Sequence, residues 1–120
     1  MSEIVTINRH KDFNRAYKKG KSFVCPLFVL YISKNYNRGI RLGITTSKKI
    51  GKAVYRNRAR RILKEAFRQV LPELKGNFDV VFVARSKTPF FKAFDVKSKM
   101  VDFFKEFKIL KNWFYEKFIY

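Results

Sequence analysis

Residues 48–68 read KKIGKAVYRNRARRILKEAFR, and this stretch governs the interpretation of the whole 120-residue chain. It carries nine basic side chains and one acid, Glu65, for a net charge of +8. From Ala53 onward, apolar residues recur at steps of three and four, which predicts a helix with one face to bury. That apolar face comprises Tyr55, Ala59, Ile62, Leu63, Ala66, Phe67 and Val70.

The other face of the predicted helix is basic. At about 100° per residue it gathers Asn57, Arg60, Arg61, Lys64 and Arg68, with Arg56 at its border. A solvated helix face usually alternates acids with bases, but the acids are missing here. The pattern therefore favours an array of phosphates as the partner of this face over simple hydration.

The composition excludes a disordered basic tail. The chain is 47% hydrophobic and 18% aromatic, whereas disordered basic segments are poor in Phe and Tyr. Its length suits one domain spanning residues 1–120. The net charge of +19 causes self-repulsion that a polyanionic partner would relieve. Nucleic acid is the first candidate for that partner, and an anionic membrane surface is the second.

The sequence also indicates the cellular compartment of the protein. The N-terminus lacks a sustained apolar stretch, and no window reaches the roughly 18–20 apolar residues that span a bilayer. Cys25 is the only cysteine, so an intramolecular disulfide cannot form. We therefore expect a soluble, cytoplasmic protein.

Hydrophobic periodicity predicts the remaining elements. They are a helix over residues 9–19, a strand over 22–33, a strand over 40–46, a strand over 78–84 and a helix from about Asp95 whose apolar stripe extends to Trp113 and Phe114. Residues 35–39 have turn chemistry, so we expect 40–46 to return as the antiparallel hairpin partner of 22–33. The strand over 78–84 is almost continuously apolar, as in strands covered on both faces.

The order α-β-β-α-β-α predicts an α+β fold, a two-layer α/β sandwich with helices packed on a mixed sheet. The strand over 40–46, the basic helix and the strand over 78–84 would form a βαβ unit. In the strand over 40–46, Arg41, Gly43 and Thr45 alternate with apolar side chains. One face of the sheet is therefore expected to be open to a ligand, with Gly43 allowing a close approach to the backbone.

Groups for protein-borne catalysis are sparse. His10 is the only histidine, so neither a zinc site nor a Ser/His/Asp or Cys/His arrangement has good support. The pair Gly51-Lys52 lacks the upstream glycine of a phosphate-binding loop. We predict no catalytic residue, no metal site and no cofactor in this chain, and an RNA- or DNA-binding domain rather than a self-sufficient enzyme.

The stretch 48–68 closely resembles the signature of the bacterial ribonuclease P protein component, whose RNR motif corresponds to Arg56-Asn57-Arg58. Further matching segments are Asp12-Phe13, residues 17–20, residues 28–31, Arg41-Leu42-Gly43 and Ala84-Arg85. The resemblance implies a subunit of a ribonucleoprotein endonuclease that removes the 5′ leader from precursor tRNA. It also implies a left-handed βαβ crossover, although the general rule is right-handed.

The same resemblance implies the partners and the contact residues. The partners would be the ribonuclease P catalytic RNA, which holds the magnesium ions, and precursor tRNA, with no membrane and no obligate protein partner. The implied RNA-binding residues are Lys49, Lys52, Arg56, Asn57, Arg58, Arg60, Arg61, Lys64 and Arg68. The implied cleft for the single-stranded leader is lined by Phe13, Tyr17, Val29 and Tyr31 and bordered by Arg41, Thr45, Ser47 and Lys48.

Two other hypotheses stay open at this point. One is a stand-alone RNA-binding protein, such as a ribosomal or RNA-assembly factor with a similar βαβ unit. The other is a basic protein on an anionic membrane, which should tolerate scrambling of its basic residues. The aromatic segment 111–120 is expected either to extend the last helix or to form a tail.

Overall fold

The computed structural model of the chain describes residues 3–111, which form a five-stranded sheet with helices on both faces. The strands are β1 (Val5–Thr6), β2 (Lys21–Val24), β3 (Phe28–Lys34), β4 (Ile40–Thr45) and β5 (Phe78–Ala84). The helices are α1 (His10–Lys19), α2 (Ala53–Val70) and α3 (Ala93–Phe107), with 3-10 turns at Lys48–Ile50, Leu71–Glu73 and Thr88–Phe90. Within residues 3–111, no helix is long and apolar enough to cross a membrane.

The sheet is mixed and has the strand order β1-β4-β5-β3-β2. β5 lies at its centre, parallel to β4 and antiparallel to β3. β1 extends the β4 edge in parallel, and β2 closes the other edge in antiparallel pairing with β3. The predicted α+β class, the mixed sheet and the β4–α2–β5 unit are therefore confirmed. The hand of that crossover stays a prediction.

The predicted hairpin between residues 22–33 and 40–46 is wrong, because β5 lies between β3 and β4. The polar turn at 35–39 instead carries the chain across the start of β5. The main-chain oxygen of Asn77 accepts a hydrogen bond from the Asn35 amide at 3.1 Å, and its side-chain oxygen accepts one from the Gly39 amide at 2.9 Å. The most apolar strand thereby takes the central position, where both of its edges are paired.

The strand predicted over residues 22–33 is two strands, β2 and β3, joined by a tight connection at residues 25–27. Val24 pairs with Val29 across this connection. Pro26 lies in the turn itself, where it has no ladder hydrogen bond to donate. Apolar residues continue through the connection, so hydrophobic periodicity did not reveal it. The two-residue strand β1 was also missed.

The main core lies between the sheet and the pair of helices α2 and α3. The apolar face predicted for α2 is confirmed, since five of its members are buried and Tyr55 and Ile62 are partly buried. The buried residues of the two helices are Ala59, Leu63, Ala66, Phe67, Val70, Val96, Met100 and Phe104. α3 begins at Ala93, slightly earlier than predicted, and ends at Phe107, because Lys108 adopts a left-handed conformation with φ of +67°. The predicted continuation of the helix through Leu110 is therefore wrong, and Trp113 and Phe114 lie outside the described residues.

α1 crosses the opposite face of the sheet. Ala16 is fully buried there, and the ring of Phe13 fills the space above Gly43. A Cβ atom on residue 43 would lie 2.6 Å from the Cε1 atom of Phe13, so a larger residue there would displace this ring. Gly43 therefore allows the close approach that the sequence predicts, but the group that approaches is α1 of the same chain.

A buried ion pair joins β4 to β5 and lies against α1. The Arg41 guanidinium donates to both carboxylate oxygens of Asp79, at 2.7 Å each, and its nearest contact with Asp12 of α1 is 3.5 Å. Asp79 is 0% exposed and Arg41 is 8% exposed. The hydrogen bonds to Asp79 raise the pKa of Arg41 above its usual value, so the guanidinium stays charged. Asn35 donates a further hydrogen bond to Asp79 at 2.9 Å.

We expect Asp79→Ala to lower the free energy of unfolding by about 3 kcal/mol, because it leaves a buried guanidinium without its bidentate partner. Urea denaturation at neutral pH measures this loss. Glu65→Ala is the matched control, since Glu65 pairs with Arg68 at 3.2 Å on an exposed surface and should cost less than about 1 kcal/mol. Equal small losses in the two variants would contradict a structural role for the Arg41–Asp79 pair.

Candidate nucleic-acid interface

The segment between β4 and α2 is bent and exposes two lysines. After β4 the chain forms the 3-10 turn Lys48–Ile50 and reaches Gly51, whose φ of +101° favours glycine. Ile50 is buried and anchors the turn, whereas Lys48 and Lys49 are exposed. The guanidinium of Arg56 donates to the main-chain oxygen of Gly51, which ties the first turn of α2 back to this segment.

The outer face of α2 carries almost uncompensated positive charge. Arg56 is partly buried, and the other predicted RNA-binding residues are exposed: Lys49, Lys52, Asn57, Arg58, Arg60, Arg61, Lys64 and Arg68. Within residues 3–111, Arg68 is the only one of them in an ion pair, with Glu65. Arg60 donates to the Thr46 hydroxyl at 3.2 Å, which holds the helix beside the end of β4. The structure thus exposes these side chains along α2 and the segment that precedes it.

The basic residues at the N-terminal end of α2 do not stabilise the helix. The first turn of α2 contains no acid, and Lys52 and Arg56 lie where the helix macrodipole is already positive. Acidic residues would stabilise this end of an isolated helix, so the basic residues there are not explained by helix stability. An anion bound at this end would be stabilised by both the side-chain charges and the macrodipole.

A partly exposed row of side chains lies beside α1 on the opposite face of the sheet. Val29, Val83 and Thr45 are aligned across β3, β5 and β4, and we call these three residues the open strip. Tyr17 of α1 borders it, donating from its hydroxyl to Thr45 Oγ1 at 3.4 Å. The Tyr17 ring also meets the ring of Tyr31 edge-on, with centroids 5.1 Å apart. Rings, aliphatic side chains and a hydroxyl therefore occur together here.

Phe13 lies at a neighbouring depression. This depression has a volume of about 290 Å³ and is lined by Thr6, Ile7, Phe13, Leu42, Gly43, Ile44, Arg60 and Lys64. Because α2 supplies Arg60 and Lys64, the depression connects the α1 side of the sheet with the basic surface. Phe13 is partly buried against Gly43, so it supports the fold as well as lining this depression.

The structure places Arg41 differently from the other residues of the predicted cleft. Its guanidinium is buried and bound to Asp79, so it supports the sheet and does not border an open groove. The physical reason is that α1, with Asp12, covers this part of the sheet face. Ser47 and Lys48 are exposed on the segment between β4 and α2, next to Thr45 at the end of the open strip.

Sequence reasoning missed two features of this region. Val83 belongs to the open strip, but the continuous apolar run of β5 gave no sign that one of its side chains is partly exposed. Phe90 and Phe94 are 67% and 76% exposed in the segment that leads into α3, although phenylalanine usually signals a core position. Among residues 3–111 there is no group of three or more His, Cys, Asp or Glu side chains able to hold a metal ion.

Comparison with known proteins identifies the family. The family model described as Ribonuclease P matches residues 1–108. A ribonuclease P protein component of Clostridioides difficile is 46% identical, over 78% of this chain and 84% of that protein. One from Clostridium botulinum is 41% identical, over 83% of this chain and 91% of that protein.

Solved structures agree with these relatives. The RNase P protein of Staphylococcus aureus superimposes with a TM-score of 0.76 at 30% identity, over 91% of this chain and all of that one. The RNase P protein of Thermotoga maritima gives a TM-score of 0.73 at 30% identity, over 84% of this chain and 96% of that one. With the sequence and the fold both matched over most of their length, this chain belongs to the family of bacterial ribonuclease P protein components.

Proposed function

We propose that this ribonuclease P protein serves tRNA processing by binding RNA at two surfaces. The exposed cations of α2 and of residues 48–52 hold the catalytic RNA, and the open strip beside α1 holds the single-stranded 5′ leader of precursor tRNA. The observation that carries the proposal is the outer face of α2, where the described cations other than Arg68 lack a carboxylate partner. Arginine offers bidentate contacts to phosphate there, and lysine supplies point charges.

The chemical step belongs, in this proposal, to the RNA subunit and the magnesium ions that it holds. A chain with one histidine and nine scattered carboxylates contributes binding energy and orientation, not bond cleavage. Cations near the bound phosphates reduce repulsion between the catalytic RNA and its substrate. Both polyanions can then approach each other closely on one protein of net charge +19.

The leader surface combines two kinds of contact. The rings of Tyr17 and Tyr31 offer stacking faces worth about 1–3 kcal/mol per base, and stacking tolerates any base. Val29 and Val83 form an apolar floor, while Thr45 supplies a hydroxyl. Lys48 lies on the segment that follows β4, where it can reach phosphates of a strand passing towards α2. This mixture suits a leader whose sequence varies from one tRNA to another.

The family membership favours this function over a stand-alone ribosomal or assembly protein. The relatives named above are ribonuclease P protein components, and their similarity spans most of this chain. A membrane-surface role finds no comparable support, because the cations are carried by an ordered helix and the rings of Tyr17 and Tyr31 offer stacking faces that suit unpaired bases.

We expect the double variant Arg61→Gln/Lys64→Gln to bind a bacterial ribonuclease P RNA more weakly and with a shallower salt dependence. The slope of log affinity against log salt should fall in magnitude by about 1–2, because two phosphate contacts are lost. Thermal unfolding should be unchanged, since neither side chain pairs with a carboxylate in the described part of the chain.

The control Lys34→Gln/Arg38→Gln removes the same charge at the opposite end of β4 from the approach to α2. It should leave the salt slope close to that of the unaltered chain. Equal changes in both double variants would show that only net charge matters, and would contradict specific use of the α2 face.

We expect Tyr17→Leu to reduce the affinity of the reconstituted holoenzyme for precursor tRNA by about fivefold or more, while leaving the affinity for mature tRNA unchanged. The physical reason is the loss of a stacking face that only a leader would use. Equilibrium binding of the two RNAs measures the difference. Tyr36→Leu is the control, because Tyr36 is 89% exposed on the turn between β3 and β4. Equal losses on precursor and mature tRNA would exclude the open strip as the leader site.

A further inference from the structure

Three exposed phenylalanines lie in one short segment that neither proposed RNA surface uses. Among residues 3–111, the exposed phenylalanines are Phe90, Phe91 and Phe94, with 67%, 38% and 76% of their surface accessible. Phe90 ends the 3-10 turn Thr88–Phe90, Phe91 follows it, and Phe94 lies in the first turn of α3. The other phenylalanines described are buried or partly buried, so exposure is specific to this segment.

The backbone of this segment is held by other residues. The Thr88 hydroxyl donates to the main-chain oxygen of Leu27 and accepts from the Arg85 amide at 2.9 Å. Pro89 is buried, and the Asp95 carboxylate accepts from the Lys92 amide at 3.3 Å to cap α3. The rings of Phe90 and Phe94 are thus presented by an ordered turn that does not depend on burying them.

One ring of this segment joins the basic helix. The Phe90 ring packs beside Tyr55 of α2, with centroids 5.5 Å apart and planes at 50°. On α2 itself, the guanidinium carbon of Arg58 lies 5.9 Å from the centre of the Tyr55 ring. A chain of cation, ring and ring therefore runs from α2 to the exposed segment. We call Tyr55, Phe90 and Phe94 the aromatic patch.

The charge around the aromatic patch is positive. Residues 85–97 contain four basic side chains and one acid, and that acid, Asp95, caps α3. A second copy of this chain, with its own net charge of +19, would be repelled from such a surface. RNA instead offers phosphates for the cations and flat bases for the rings.

We infer that the aromatic patch is a second stacking site, which binds unpaired bases of the catalytic RNA beside the region held by α2. The inference rests on the proposed function, because it takes α2 to bind that RNA. The site is distinct from the open strip, which lies on the sheet face covered in part by α1. Phe90 and Phe94 supply the stacking faces, and Arg58 and the neighbouring lysines supply the contacts to phosphate.

Two double variants separate stacking from simple apolar contact. Phe90→Leu/Phe94→Leu keeps apolar side chains but removes the rings, whereas Phe90→Tyr/Phe94→Tyr keeps the rings. Affinity is measured with the full-length chain and a full-length bacterial ribonuclease P RNA without substrate, over a range of salt concentrations. Tyr36→Leu serves as the control for loss of a remote exposed ring.

The leucine pair should lose about fivefold or more in affinity, with an unchanged salt slope and an unchanged melting temperature. The tyrosine pair and the control should stay within about twofold of the unaltered chain. An unaltered affinity in the leucine pair would overturn the inference, as would an equal loss in the tyrosine pair. A patch-dependent self-association of the protein alone in sedimentation would also overturn it. Failure of the unaltered chain to bind this RNA would instead overturn the proposed function.

Discussion

Burial of one face of α2 is the constraint on which the rest of the molecule depends. The Phe67 ring lies 5.9 Å from that of Phe82 in β5 and 6.3 Å from that of Phe104 in α3. The helix is therefore packed against both the sheet and α3. Leu63 and Ala66 are fully buried in the same core. A helix that is fixed in rotation in this way holds its remaining side chains at fixed positions. Its cations therefore form a surface whose shape is set by the core beneath it.

A second constraint acts on the other face of the sheet. The contact of Arg41 with Asp12 and the contact between Phe13 and Gly43 hold α1 across part of that face. α1 leaves the row Val29, Val83 and Thr45 partly exposed, with Tyr17 along its border. The buried polar groups thus have a geometric consequence, since they determine how much of the sheet stays open. The position of a single ten-residue helix, α1, therefore sets how much of this sheet face is exposed.

The sequence predicted α2 well because its signals were local and consistent. Apolar positions at helical spacing pointed to one buried face, and the burial pattern of α2 agrees. The scarcity of acids pointed to phosphates as the partner of the other face, which stays a prediction. Strand pairing was predicted less well because it depends on distant residues. Nothing in residues 22–46 indicates that β5 will insert between β3 and β4. The connection between β2 and β3 at residues 25–27 was not predicted because these residues continue the apolar run.

Individual site residues were harder to place than elements. Arg41 occupies a position that alternation marks as outward-facing, yet Asp79 and α1 enclose it. Phe90 and Phe94 show the reverse case, because their residue type suggests burial and the turn exposes them. Family resemblance supplied the predictions of a leader cleft and of an RNA partner, which charge and periodicity alone could not specify.

The most direct measurement is leader removal from a precursor tRNA by a bacterial ribonuclease P RNA, at physiological magnesium, with and without the purified chain. If α2 holds the RNA and the open strip holds the leader, saturating protein raises kcat/KM for precursor tRNA. The gain should disappear for a substrate whose leader is shortened to one nucleotide. A cleavage rate that saturating protein leaves unchanged would contradict this mode of action.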